Sequence, residues 1–521
     1  MVRVPLATIA ALARSGALDR ARALFDAGYG TGDSAAELAL KGRILKGLAM
    51  RPGAGDSSAL LAGAEEAYAA ADRLTPQPYL LINAATLAAL RGDAGRAAVM
   101  AREVLPRLDA DDLAETPYYI AATRSEALLL LGDRAGAARW LGEAIALHPA
   151  GWEQHASTLR QFAAILAAEG GDAAWLDAFR PPASLHFVGH LGIGAEAAGG
   201  LRTAVDALLA ERRVGFGFGA LAAGADIVVA EALLARGAEL HAVLPAAVED
   251  FAIASVVPFG DAWLDRYRTC VARATSVRSV ADAGRSHDPQ ATALASEVAM
   301  GAAALDARLH ESRALQLIVA DDGDGDFGSG RNSARDGALW RSGGREQRVL
   351  RWPRSAAIPP TITDRLRPGQ RIAAVLLIAP GEEAAGEAPL ARWIDDGVSP
   401  IRTALGPANR GLTGNAALVA AFDTPVAAAQ AVHRIAALGL AEPPRIAGVY
   451  GIVHQVGEQL VGLPVAMAQR MLDVALPGMT VVTDLFAQAA AIHDASMVAE
   501  PIGLHDLAGL ADPVPLFALP D

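Results

Sequence analysis

The stretch Val214–Pro245, VGFGFGALAAGADIVVAEALLARGAELHAVLP, decides how the rest of the chain is read. Val214–Phe218 is an apolar run of strand length and Gly219–Gly224 is a glycine-rich turn. An apolar helix starts near Asp226, and Glu239–Leu244 reads as a second strand. Strand, turn, helix and strand in this order form a parallel βαβ unit with a right-handed crossover. The positive end of a helix that follows such a turn is a place for a phosphate. Gly215, Gly217 and Gly219 let the backbone bend and approach a ligand closely. The backbone amides of Ala222–Ala225 would then face that phosphate, and Asp226 would either cap the helix or bind a ribose hydroxyl. A glycine-rich strand-to-helix turn is a weak signal on its own, so its surroundings matter.

Those surroundings repeat the alternation. Upstream, after Pro181-Pro182, Ala183–His190 (ASLHFVGH) reads as a strand ending in Gly189-His190, and a helix follows over Leu201–Ala210. Downstream, the apolar strand Leu315–Ala320 meets the acidic turn Asp321-Asp322-Gly323-Asp324-Gly325-Asp326, and then a helix containing Trp340. This pattern predicts a Rossmann-like α/β domain, a doubly wound parallel sheet, over residues 183–352. The alternating carboxylates of Asp322, Asp324 and Asp326 are reminiscent of a calcium loop. Phe327 stands where the loop needs glycine and Ser333 where it needs the closing glutamate, so a solvated loop is the better reading.

Gly189-His190, the Gly219–Gly224 turn with Ala225-Asp226-Ile227, Leu244-Pro245, and Glu249-Asp250-Phe251 with Trp263 and Arg266 together resemble the SLOG superfamily. That resemblance implies a nucleotide-sensing fold, with Gly189, His190, Gly217, Gly219, Ala220, Gly224, Asp226 and Asp322 as candidate nucleotide or phosphate ligands. One departure lies at Ala220, where the family pattern leads one to expect a hydroxyl that could bind a phosphate. The cytokinin-activating relatives hydrolyse a nucleoside monophosphate with an Arg and a Glu in their glycine-rich motif. Gly219–Gly224 contains neither.

Residues 1–180 read as an all-α helical-repeat region. Helix-length segments alternate with short turns, most clearly at Arg91-Gly92-Asp93 and Leu131-Gly132-Asp133. Small residues recur where paired helices would meet, which predicts stacked tetratricopeptide-like hairpins over an irregular bundle. The strings Lys41–Lys46 (KGRILK), Ile82–Thr86 (INAAT), Ala122–Glu126 (ATRSE) and Ser157–Gln161 (STLRQ) occur in order. They resemble the TRAFs-binding domain found ahead of the kinase in apoptosis signal-regulating kinases and in bacterial proteins. The resemblance implies a protein-docking role without chemistry of its own.

Residues 353–370, proline-rich, read as a linker. Beyond it, strands are expected at Arg371–Ala379, Ala416–Phe422, Pro444–Ile452 and Met479–Val482, and helices at Pro425–Leu438 and Val465–Val474. The 371–379 strand, the LVAAF strand, Val465–Arg470 and Leu476–Thr483 make residues 371–521 resemble the α+β domain of class III adenylate and guanylate cyclases. That family holds two metals on two aspartates. Here the first position falls at Ala379 or Pro380 and the second near Ala416 in Gly414-Asn415-Ala416-Ala417. Ala466 replaces the transition-state Asn, while Arg470 keeps the Arg four residues later. The resemblance therefore implies a degenerate cyclase-like domain, with homodimerisation as its retained property; Glu382 and Glu383 are the carboxylates nearest the first position.

Composition bounds the rest. A net charge of −13 opposes nonspecific nucleic-acid binding. The lone Cys270 excludes an intrachain disulfide and a cysteine zinc site, and it fits a reducing cytoplasm as a buried, inert thiol. The N-terminus reads as an amphipathic helix, not a secretion signal, and no apolar run approaches the about 18 residues of a spanning helix. The expectation is a cytoplasmic, non-catalytic signalling protein. Its helical repeats dock a protein partner, its middle domain senses a nucleotide-derived ligand, and its pseudo-cyclase domain dimerises or transmits the state. No metal and no cofactor beyond a nucleotide are implied. An active cyclase, a SLOG-type nucleotide hydrolase and a pure scaffold are the alternatives.

Overall fold

The structure, a computed structural model, describes residues 3–14, 18–30, 32–51, 56–110, 113–282, 284–321, 331–359, 367–381, 387–413, 416–457, 459–497 and 499–519. The chain forms two compact units, Met1–Pro181 with Leu309–Glu311, and Pro182–Arg308 with Ser312–Asp521. Among the described residues no helix is long and apolar enough to cross a membrane.

The first unit consists of helices α1 (Leu6–Arg14), α2 (Leu18–Tyr29), α3 (Ala35–Ala49), α4 (Ser57–Leu74), α5 (Pro78–Leu90), α6 (Ala94–Arg107), α7 (Pro117–Leu130), α8 (Arg134–Leu147) and α9 (Trp152–Ala168). The Gly-Asp turns act at both ends of the break. Gly92 and Gly132 adopt φ of 83° and 80°, the left-handed conformation that closes a helix cheaply only in glycine. Gly92 N donates to Ala89 O and Asp93 N to Ala88 O, and Leu131-Gly132-Asp133 repeats the arrangement on Leu129 and Leu128. The Asp93 and Asp133 carboxylates then accept from Arg96 N and Gly136 N to start the next helix. Each hairpin buries small and apolar residues on its neighbour, with Leu81, Leu87, Leu141 and Phe162 in the shared core.

The four ordered strings that carried the resemblance in this region converge. Lys46 Nζ donates to Asn83 Oδ1 (3.0 Å) and Gln161 Oε1 (2.6 Å), while Gln161 Nε2 and Thr86 Oγ1 donate to the Glu126 carboxylate. Residues of α3, α5, α7 and α9 are thereby tied by one polar network, buried at Asn83, Thr86 and Glu126. Burial pushes the Lys46 ammonium down and the Glu126 carboxyl up, while their mutual attraction works against both shifts.

The second unit holds two sheets. The first is built from β1 (Ala183–Gly189), α10 (Ala195–Glu211), β2 (Val214–Gly219), α11 (Ala225–Ala235), β3 (Glu239–Leu244), α12 (Val248–Ser255), α13 (Asp261–Arg273), β4 (Ser276–Ser279), α14 (Pro289–Leu309), β5 (Ala314–Ala320), α15 (Arg331–Ser342) and β6 (Glu346–Arg351). Its strands are parallel and ordered β4-β3-β2-β1-β5-β6. The chain steps outward from β1 to β4 and then returns to the far side of β1, so the order reverses between β1 and β5. In such sheets ligands bind at the strand C-termini beside that reversal. Helix α10 begins earlier than the sequence pattern suggested. Gly200, in this earlier part of the helix, is pressed on Trp352, whose ring would lie 3.0 Å from a Cβ at that position.

The second sheet comes from β7 (Gln370–Ala379), α16 (Glu387–Arg392), α17 (Ser399–Leu405), β8 (Asn409–Leu412), β9 (Leu418–Phe422), α18 (Pro425–Ala436), β10 (Arg445–Val456), β11 (Gln459–Val461), α19 (Leu463–Met471), β12 (Thr480–Thr483), α20 (Asp484–His493), β13 (Glu500–His505) and β14 (Val514–Leu519). It is mixed, ordered β13-β14-β12-β10-β7-β9-β8, with β11 folded back on β10. Strand β7 is buried from Ala373 to Ala379, as its unbroken apolar run requires. Strand β9 starts two residues later than expected because Ala416 has φ of 59° and sits in the preceding turn, where its carbonyl accepts from Trp393 Nε1.

Candidate functional site

A cavity of about 250 Å³ opens at the C-terminal ends of β1, β2 and β3. Strand β1 and its extension bring His186 to Leu191, the β2–α11 turn brings Ala220 and Ala222, and β3 ends in Val243 beside Pro245 and Ala246. The opposite wall comes from α12, from the residues just before α14, and from α14 and the start of α15.

The residues singled out in the sequence divide into two groups. Gly189, His190, Ala220 and Asp226 line the cavity. Gly217, Gly219 and Gly224 lie outside its lining, and packing accounts for each of them. A Cβ on Gly217 would lie 2.2 Å from Leu233 of α11, and one on Gly219 would lie 2.6 Å from the Phe187 carbonyl oxygen of β1. Gly224 combines φ of 127° with a Cβ position only 2.8 Å from His190 O, where Leu191 and Gly224 form a bridge. Asp322, with Asp324 and Asp326, lies outside the described residues. Arg470 is half-buried on α19 in the second sheet, away from the cavity lining.

The turn itself is not the open cradle that its sequence suggests. Ala222 N donates to Asp226 Oδ2 (3.3 Å), Ala223 N to Ser255 O (3.1 Å) and Ala225 N to His190 O (3.3 Å). Three of the four amides expected to face a phosphate are thus already satisfied. Asp226 neither caps α11, whose N-cap is Gly224, nor stands free for a ribose. Its second oxygen accepts from Gly189 N (3.0 Å), so the carboxylate ties β1 to the turn. Burial pushes the Asp226 carboxyl up to about 7, against the pull of those two amides. His190 is likewise committed, with Nδ1 against Leu191 O (2.9 Å) and Nε2 against Trp352 O (2.8 Å).

Several polar groups of the wall were not picked out from sequence. His186, Ser255, His287, Asp288, Ser296 and Ser333 all line the cavity. Asp288 closes the N-terminus of α14: its Oδ1 accepts from Gln290 N (2.9 Å) and Ala291 N (3.1 Å). The dipeptide Asp288-Pro289 is a helix-start signal that could have revealed this. Ser296 Oγ donates to Asp336 Oδ2 (2.7 Å), and His287 Nε2 stands 3.0 Å from Ala254 O.

A polar ladder crosses β1, β5 and β6 at the paired residues His186, Gln316 and Gln347, the first two of them buried. Its polarity is fixed from one end. Gln347 Nε2 faces Gly337 O (3.1 Å), which can only accept, so the same amide donates to Gln316 Oε1 (2.6 Å). Gln316 therefore turns its own Nε2 to His186 Nδ1 (3.1 Å). Burial pushes the His186 imidazole down to about 3, so the ring is neutral. With Nδ1 accepting, the ring proton sits on Nε2. That N–H has no hydrogen-bond partner among the described residues, in a side chain that lines the cavity.

Helix α14 reaches from this cavity to the second sheet. Thr292, Ala295, Ser296 and Ala299 line the cavity, whereas Glu297 accepts from Tyr450 OH of β10 (2.6 Å) and lies 3.5 Å from His493 Nε2 of α20. Gly301 packs directly on α20, where a Cβ would lie 1.8 Å from Gln488 O. Helix α20 is held at its other points too. Arg278 of β4 pairs with Asp484 (2.8 Å), and Arg345 donates to Ala491 O and Ile492 O (2.5 and 3.1 Å) at the negative end of the helix.

In the second sheet, β7 and β9 pair Ile378 with Leu418, so the strand ends carrying Ala379 and Pro380 lie beside the turn holding Ala416. No side chain at these positions bears an atom that can ligate a metal. Ala466 and Arg470 lie one turn apart on α19. Glu382, Glu383, Gly414 and Asn415 lie outside the described residues.

No family model matches the sequence, and no curated protein is significantly similar to it. Among solved structures, an adenylate/guanylate cyclase/hydrolase from Silicibacter pomeroyi is similar at 20% identity, covering 29% of this chain and 98% of that one with a TM-score of 0.24. The adenylyl cyclase CyaB from P. aeruginosa is similar at 14% identity, covering 29% of this chain and 95% of that one, also with a TM-score of 0.24. An O-GlcNAc transferase mutant from Thermobaculum terrenum is similar at 14% identity over 59% of this chain and 57% of that one, with a TM-score of 0.18.

Proposed function

We propose that the chain is a non-catalytic signalling protein whose parallel-sheet cavity binds a nucleotide-derived small molecule and whose mixed sheet transmits the bound state or dimerises. The helical hairpins of the first unit serve to dock a protein partner. The observation that carries this reading is the double role of α14, which walls the cavity with Thr292 and Ser296 and reaches Tyr450 and Gln488 of the second sheet with Glu297 and Gly301. A ligand that moves α14 by even a fraction of an ångström acts on close packing that cannot deform smoothly. The cavity's place at the reversal of strand order supports a nucleotide-derived occupant. The alanines at 379 and 416 support a cyclase-like domain that has given up two-metal chemistry.

The test is native mass spectrometry of the gently purified full chain, together with a thermal-shift panel of nucleotide-derived compounds. The expected result is one small molecule per chain, or one compound that raises the melting temperature, with either effect lost in Ala222→Phe, which fills the cavity. Binding that survives Ala222→Phe, or no response to any compound, would contradict the reading.

A further inference from the structure

The polar groups around the cavity bear on what its occupant can be. Among the described lining residues there is no lysine or arginine. The β2–α11 turn spends the amides of Ala222, Ala223 and Ala225 on Asp226, Ser255 and His190, and Asp288 takes the first amides of α14. Two carboxyl groups, those of Asp226 and Asp288, stand in the wall where a phosphate would need cations. What the wall offers instead suits an uncharged, hydrogen-bonding molecule. The His186 Nε2–H, on a residue that lines the cavity, has no protein partner among the described residues, and Ser255 and Ser333 add buried hydroxyls. Phe187, Phe251 and the alanines at 295 and 299 supply apolar surface. An acceptor on the occupant can take this N–H directly.

Resting on the reading of this cavity as a site for a nucleotide-derived ligand, we infer that it holds an uncharged nucleoside, with no phosphate in the β2–α11 turn. His186 Nε2 donates to a ring nitrogen or carbonyl oxygen of the base.

Calorimetric titration of the full chain with adenosine, guanosine, cytidine and uridine, and with their 5′-monophosphates, tests this. At least one nucleoside should bind, and its monophosphate should bind no more than about fivefold tighter. His186→Phe, which keeps a ring against Trp340 but removes the donor, should weaken that nucleoside about tenfold. His186→Gln, which retains an N–H, should lose less, and the melting temperature of each variant shows whether it is folded. A monophosphate more than about fivefold tighter than its nucleoside overturns this inference while leaving the cavity as a nucleotide-derived ligand site. Unchanged affinity in folded His186→Phe removes His186 from the contact and overturns the inference as stated. Failure of all these compounds to bind overturns both the inference and the reading it rests on.

Discussion

Replacing Gly301 by alanine probes the contact through which the cavity is argued to reach the second sheet. Gly301 lies within α14, where an alanine would normally raise helix stability by about 1 kcal/mol. Here the added Cβ would sit 1.8 Å from the carbonyl oxygen and 2.3 Å from the carbonyl carbon of Gln488. The obstacle is backbone, so no side chain can swing away and α14 must separate from α20. Overpacking of this kind costs about 1–3 kcal/mol, and a backbone obstacle places it at the upper end. The net loss should then be about 2 kcal/mol. Gly199 in α10 provides a matched control, because a Cβ there meets nothing within 4 Å. Gly199→Ala should stabilise by up to about 1 kcal/mol. Two identical substitutions in two helices should thus differ in sign and be separated by about 3 kcal/mol. Urea unfolding of the full chain, followed by far-ultraviolet circular dichroism, reads the difference as opposite shifts of the midpoint. If Gly301→Ala is as stabilising as Gly199→Ala, α14 and α20 are not packed as described and the proposed route between the sheets fails.

Three further outcomes follow from the buried polar groups and the second sheet. Burial pushes the Asp226 carboxyl of the folded chain from its ordinary 3.8 up to about 7, so its protonated form is favoured by folding. Its contribution should be fully present below about pH 4 and lost as pH rises through about 7, by up to about 4 kcal/mol, and Asp226→Asn should flatten that part of the stability–pH curve. In the first unit, Lys46→Met and Glu126→Gln should each cost about 2–4 kcal/mol, while the double variant should cost less than their sum by at least about 1 kcal/mol, as measured by a double-mutant cycle. Incubation of concentrated protein with ATP or GTP and manganese should yield no cyclic nucleotide by chromatography, because positions 379 and 416 offer only methyl groups; sustained product formation would require other ligands.

Legibility in the sequence followed how local each cause was. Strands β1, β2, β3 and β5 could be read because their apolar runs are bounded by glycine, proline or acidic turns. The edge strands β4 and β6, SVRS and EQRVLR, have no such run and are held by backbone pairing to β3 and β5. Helix α14 escaped because its alanine-rich faces carry little polar contrast, although one face meets the cavity and another meets α20. The glycine-rich turn was visible, but the partners that satisfy its amides are not. Ser255 O and His190 O reach it through folds of the chain that no spacing rule reveals. Likewise the partners of Gly217 and Gly219, Leu233 and Phe187, become apparent only once α11 and β1 are packed against β2. The donor at His186 depends on a ladder running through Gln316, Gln347 and Gly337.

The central claim is that occupancy of the cavity is felt by α20 of the second sheet. Hydrogen–deuterium exchange over Asp484–His493 in the full chain, with and without a saturating nucleoside or monophosphate that binds, tests it most directly. Exchange in this helix should slow on binding, and the effect should be lost in Gly301→Ala. Protection confined to the cavity walls, with Asp484–His493 unchanged, would contradict it.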